Sequence, residues 1–113
     1  MEIRNKDSPV VYIASPYAGD VKRNTEMARR YSRYAIDRGC TPITPHLWLP
    51  GILSEATERE LAISIDLRLL DLVDELWVCG DVISDGMRRE IAHATEAGVP
   101  VRYIKEDEIY VRN

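Results

Sequence analysis

Two carboxylates stand where the pattern of the chain calls for apolar side chains. Glu90 lies in the segment from Ser84 to Gly98. At about 100° per residue, Asp85, Arg88, Arg89, His93, Thr95 and Glu96 project to one side, and Gly86, Met87, Ile91, Ala94, Ala97 and Gly98 to the other, with Glu90 in the middle of the apolar side. Asp66 repeats the anomaly on a second helix, facing Ala62, Leu69, Leu70 and Val73 while Ser64, Arg68 and Asp71 cluster nearly opposite. A buried carboxylate is costly unless it is paired, hydrogen-bonded or protonated. Two of them aimed inward near the carboxyl ends of parallel strands form the kind of pair that breaks a glycosidic bond, one attacking or stabilising and the other managing protons. Glu90, close to the start of its helix, is expected to feel the positive end of the backbone dipole, which favours the ionised form a nucleophile needs. Ser84 and the N–H groups around Gly86 form an anion site at the same helix start. A carboxylate beside a phosphate pocket points to a phosphorylated sugar, hence a nucleotide.

The elements that must position these acids follow from the rest of the pattern. Val10 to Ala14 is a short run of β-branched and aromatic residues, the signature of a strand covered on both faces. It enters a turn-rich loop, Ser15-Pro16-Tyr17-Ala18-Gly19-Asp20, whose last residue can cap a helix from Val21 to Arg38. Gly39 stops that helix, and Asn24, on its apolar side, is expected to tether a neighbouring loop. Cys40 to Thr44 reads as a second strand. The loop from Pro45 to Gly51 is too apolar to be simply solvated; in it Trp48 could stack on a planar base or equally plug the end of the sheet, and His46 could donate to a base.

Thr57 and Glu60 make a capping-box pattern for the Asp66 helix, which runs on to Val73. Asp74 to Gly80 supplies a third strand. Ser84 caps the Glu90 helix, and Gly98 ends it before Pro100. Val99 to Ile104 supplies a fourth strand, and Glu108 to Val111 a short edge strand. Strands and helices alternate throughout, which requires an α/β fold with a parallel sheet and helices on both faces.

Length and composition bound the answer. At 113 residues the chain makes one domain, residues 1–113, and its charge of -4 argues against binding a nucleic-acid polymer. The apolar runs fall short of a membrane span and the polar start lacks a signal-peptide core, so a cytoplasmic protein is expected. Cys40 and Cys79 are expected to be buried free thiols; with His46 and His93 they offer no metal-ligand spacing. The Asp66 helix is apolar around most of its circumference, which predicts a second copy of the chain packed against it, in a homodimer or larger even oligomer.

Val11-Tyr12-Ile13-Ala14-Ser15-Pro16-Tyr17, then Asp66, then Ser84-Asp85-Gly86-Met87-Arg88-Arg89-Glu90 with Ala94 and Gly98-Val99-Pro100, resembles the nucleoside 2-deoxyribosyltransferase superfamily. That superfamily includes the 2'-deoxynucleoside 5'-phosphate N-hydrolases. The resemblance covers about Val10 to Ile104 and implies a flavodoxin-like three-layer sandwich with four or five mainly parallel strands. It also implies Glu90 as the nucleophile at the anomeric carbon, Asp66 as the residue that assists the departing base or holds the sugar, and Tyr12 against the catalytic Glu. Ser15 and Ser84 match positions lining the sugar or phosphate end, and no cofactor is implied. Ser84 stands where the transferases commonly carry Asp, which tilts the expectation toward a 5'-phosphorylated substrate and water as acceptor. Base exchange, and a nucleotide-binding module without catalysis, are the alternatives.

Overall fold

The computed structural model describes residues 3–110. Seven principal elements alternate along the chain: β1 (Val10–Ala14), α1 (Val21–Asp37), β2 (Thr41–Ile43), α2 (Arg59–Leu70), β3 (Glu75–Cys79), α3 (Asp85–Ala97) and β4 (Val101–Ile104). The strands form one parallel sheet in the order β2-β1-β3-β4. β1 pairs on both edges and is covered on both faces, which is why its run is apolar throughout. Val11, Ile13, Trp77 and Cys79 pack with Met27, Tyr31 and Ala35 of α1. On the opposite face Tyr12, Ala14, Leu76 and Val78 pack with Leu70 of α2 and with Met87 and Ala94 of α3. The result is a three-layer, flavodoxin-like sandwich. Cys40 and Cys79 are buried free thiols in it.

The helix ends follow the capping chemistry in two cases. The Asp20 side chain accepts from Arg23 N at 3.1 Å to start α1, and Ser84 Oγ accepts from Met87 N at 3.3 Å to start α3. Gly98 ends α3 in the left-handed region, at φ 78°. α2 departs from expectation. It begins at Arg59, after Glu58, with no side-chain cap, and it ends at Leu70 rather than Val73. The Thr57–Glu60 capping box does not form because Glu60 is taken by Arg89 of α3 through two bonds of 3.0 and 3.1 Å.

The expected fifth strand is also absent among the described residues. Glu106–Tyr110 forms a 3₁₀ turn instead, and Val111 lies outside the described residues. This turn is held to α1, Arg23 pairing with Glu106 at 2.5 Å and the Tyr110 hydroxyl reaching Met27 Sδ at 3.7 Å. Those side-chain contacts fold the segment over the helix instead of along β4.

Strand order places the site. From β1 the chain steps to β2 on one side, and β3 and β4 lie on the other, so the connections diverge between β1 and β3. In open parallel sheets the crevice beyond the carboxyl ends at such a point is where ligands bind.

Candidate active site

A cavity of about 340 Å³ lies beyond those strand ends. The loop after β1 gives it Pro16 and Tyr17, α2 gives Arg59, Ala62, Ile63 and Asp66, and the start of α3 gives Ser84, Asp85, Gly86, Met87 and Glu90. His46, Leu49 and Pro50 close one wall from two single-turn 3₁₀ helices, Pro45–Leu47 and Leu49–Gly51. The β1 loop is held in place by Asn24, whose Nδ2 donates to the carbonyls of Tyr17 and Ala18 at 3.1 and 3.0 Å. Its predicted tethering role is thus realised on the loop that borders the cavity.

Both acids reach this cavity and both are buried, Asp66 at 8% and Glu90 at 4% exposure. Tyr12, projecting from β1 beneath them, donates its hydroxyl to Glu90 Oε2. Burial pushes the Glu90 carboxyl up to about 8; the Tyr12 hydrogen bond opposes the rise and the charge of Asp66 adds to it. Burial likewise pushes Asp66 up to about 6, with the nearby Tyr12 hydroxyl opposing the rise and the charge of Glu55 adding to it. Asp66 Oδ1 has no hydrogen-bond partner among the described residues. Tyr12 is itself driven well above the ordinary phenol range by burial and by the two carboxylates, so it remains a hydroxyl donor.

The helix dipole, which favours the ionised form but falls off within the first turn, is opposed by burial; with the Glu90 carboxyl up at about 8, the cluster of Tyr12, Asp66 and Glu90 keeps a proton beyond that of the phenol around neutral pH.

The other predicted site residues separate into two groups. Pro16, Tyr17, His46, Ser84 and Gly86 line the cavity with the two acids. His46 stacks at 5.3 Å from Tyr17 with the rings tilted by 51°, and burial lowers it to about 4, so it presents a neutral imidazole. Its Nδ1 is buried without a partner among the described residues. Trp48 does not line the cavity; it is 44% exposed, because the turn that buries Leu49 rotates its neighbour outward. Ser15 is fully buried, its hydroxyl without a partner among the described residues, and it too is absent from the cavity wall. Tyr12 acts from behind Glu90 and is not part of the wall.

Sequence reasoning missed Arg59. A signal existed, since Arg59, Ala62, Ile63 and Asp66 are spaced to share one helical face, and Asp66 already marked that face as the inner one.

Gly86 carries a testable consequence. A Cβ built there meets nothing closer than Ser84 Oγ at 4.0 Å, so the protein's own packing does not require glycine. Glycine inside a helix is less favourable than alanine. Gly86→Ala is expected to stabilise the free protein by roughly 0.5 kcal/mol while weakening ligand binding several-fold, as the methyl group enters space a ligand needs. Thermal melting and ligand titration of the same variant read the two effects; binding left unchanged would show that no ligand approaches this backbone.

Residues 9–104 match the family described as a domain of unknown function, DUF7768. No curated protein matches the chain. Among solved structures, the chain is similar to a 2-deoxyribosyltransferase from the psychrotolerant bacterium Bacillus psychrosaccharolyticus, with a TM-score of 0.67 and 23% identity over 85% of this chain and 72% of that one. At this identity the likeness establishes a common fold.

Proposed function

We propose that this chain, which belongs to the DUF7768 family, cleaves the N-glycosidic bond of a nucleoside or its 5'-monophosphate, deoxyribose favoured, with Glu90 as nucleophile. The observation that carries this reading is the buried cluster in which Tyr12 bears on both Glu90 and Asp66 at the wall of a ligand-sized cavity. The common fold with a 2-deoxyribosyltransferase supports it.

The proton held between the acids suits the reaction. With the proton on Glu90 the cluster is at rest. With it on Asp66, the cluster offers an ionised nucleophile and an acid together, at unchanged total charge. Tyr12, bonded to Glu90 and bearing on Asp66, lies on the path between them. The Glu90 carboxylate then attacks the anomeric carbon as the C–N bond breaks, the bonding pair leaves with the base nitrogen, and Asp66 supplies the proton. In the second half Asp66 takes a proton from water as the water displaces Glu90, returning the sugar with its original configuration. His46 and Tyr17 face the base, the neutral imidazole offering one donor and one acceptor.

The test is incubation of nucleosides, deoxynucleosides and their 5'-monophosphates with the protein, read by chromatography for free base. Base released in step with free sugar supports hydrolysis; sugar captured by an added second base would make the protein a transferase. A nucleotide bound and recovered intact would replace both with a sensing module.

The half-exposed Leu61 of α2 and the more exposed Leu72 just past its end support the companion proposal of a homodimer or larger even oligomer packed on this side of the chain. A monomer at high protein concentration by light scattering would refute it.

A further inference from the structure

The ionisable groups around the cavity are unbalanced. Glu55, Asp66, Asp85 and Glu90 line it, and among the described residues of its wall Arg59 is the sole cation. Other arginines of α2 and α3 are engaged: Arg68 with Asp71 at 3.7 Å, Arg88 with Asp85 at 3.0 Å and Arg89 with Glu60. Arg59 makes no ion pair or hydrogen bond among the described residues. Its charge acts on the neighbouring Glu60, but both oxygens of that carboxylate are already held by Arg89. Arg59 is thus a guanidinium at the cavity wall with its fork of donors uncommitted. The alternative anion site at the start of α3 is less suited: Ser84 Oγ is occupied by Met87 N, and Asp85 places a carboxylate in the first turn.

We propose that Arg59 is the specificity-determining residue that receives the 5'-phosphate, so that a nucleoside 5'-monophosphate is favoured over the nucleoside; this rests on the N-glycosidase reading. Arg59 and Asp66 share the inner face of α2 two turns apart, about 10 Å along the axis. A nucleotide seated with its anomeric carbon at the acids extends its phosphate toward the near end of that row, within reach of a long side chain. A planar guanidinium matches phosphate oxygens two at a time, and the carboxylates nearby repel any nucleotide that does not engage it.

The test compares kcat/KM for one nucleoside and its 5'-monophosphate in wild type, Arg59→Gln and Arg59→Lys, with the nucleotide's Kd measured calorimetrically on Glu90→Gln protein with and without Arg59→Gln, at two salt concentrations. The ratio of nucleotide to nucleoside kcat/KM is expected to fall at least about tenfold in Arg59→Gln and less in Arg59→Lys, with a shallower salt dependence of nucleotide binding. An unchanged ratio, with both substrates losing equally or neither losing, would overturn the proposal. If wild type releases no base but Arg59→Gln still weakens nucleotide binding tenfold, the glycosidase reading fails and the phosphate contact stands. If the nucleotide binds Glu90→Gln protein equally well with and without Arg59, the phosphate contact fails.

Discussion

Glu90→Gln is expected to lower kcat/KM for base release by at least about 1,000-fold, because an amide cannot form the glycosyl ester that divides the reaction into two steps. The same substitution is expected to change stability in a pH-dependent direction. A carboxyl near 4.5 in the unfolded chain and about 8 in the folded protein takes up a proton on folding between those values. Stability contributed by this group is therefore present below about 4.5 and is lost as pH rises toward about 8. Glutamine has no such loss. The variant should melt close to wild type at pH 5 and several degrees higher at pH 8.5, an advantage on the order of 2 kcal/mol. Calorimetric melting across pH checks it; a difference in Tm that does not vary with pH would show that Glu90 does not hold a proton in the folded protein.

Asp66→Asn is expected to lower kcat/KM roughly 100-fold or more and to change the form of the pH profile. In wild type the productive cluster carries one proton, besides that of the phenol, shared by two carboxyls near 6 and 8. Activity should thus be bell-shaped, falling below about 6 as both carboxyls protonate and above about 8 as both ionise. These limbs belong to the pair. Asparagine removes the acid and also the negative charge that helps raise Glu90, so the remaining limb should move to lower pH and activity should rise through it to a plateau. The deficit should be smallest for substrates whose base departs without protonation. Steady-state kinetics over pH 5 to 10 decide the matter, and a bell persisting in Asp66→Asn would assign the acid limb to another residue.

Much of this was legible in sequence because the signals were local. Ser84, Gly98, Asp20 and Asn24 act on backbone groups a few residues away, and the helical projection of Glu90 and Asp66 needs no tertiary information. The errors arose where distant residues compete. Thr57 and Glu60 fit a capping box, but Arg89 on α3 withdraws Glu60, and the helix start moves to Arg59. Trp48 follows the turn that buries Leu49, a choice between adjacent apolar side chains that their types do not decide. The protonation of Glu90 depends on how completely β1, α2 and α3 exclude water, and a dipole argument made on one helix leaves that out. Arg59 is one of fifteen basic residues. What distinguishes it is a place at the cavity wall without an ion pair or hydrogen bond among the described residues, where the other arginines of α2 and α3 are paired.

The hydrogen bond from Tyr12 to Glu90 joins residues 78 positions apart, the first strand to the last helix. Between them Asp66 comes from a third element, so only a fragment that includes the whole stretch from Tyr12 to Glu90 can hold the cluster together. Such long-range closures are late and slow to form, since the entropy of bringing distant segments together must be met before their contacts stabilise anything. Catalytic competence should therefore be the last property gained in refolding. Partly folded chains that have docked α1 but not α2 and α3 would carry an exposed β1 face and no chemistry, so recovered turnover counts complete molecules where spectroscopic helix content does not.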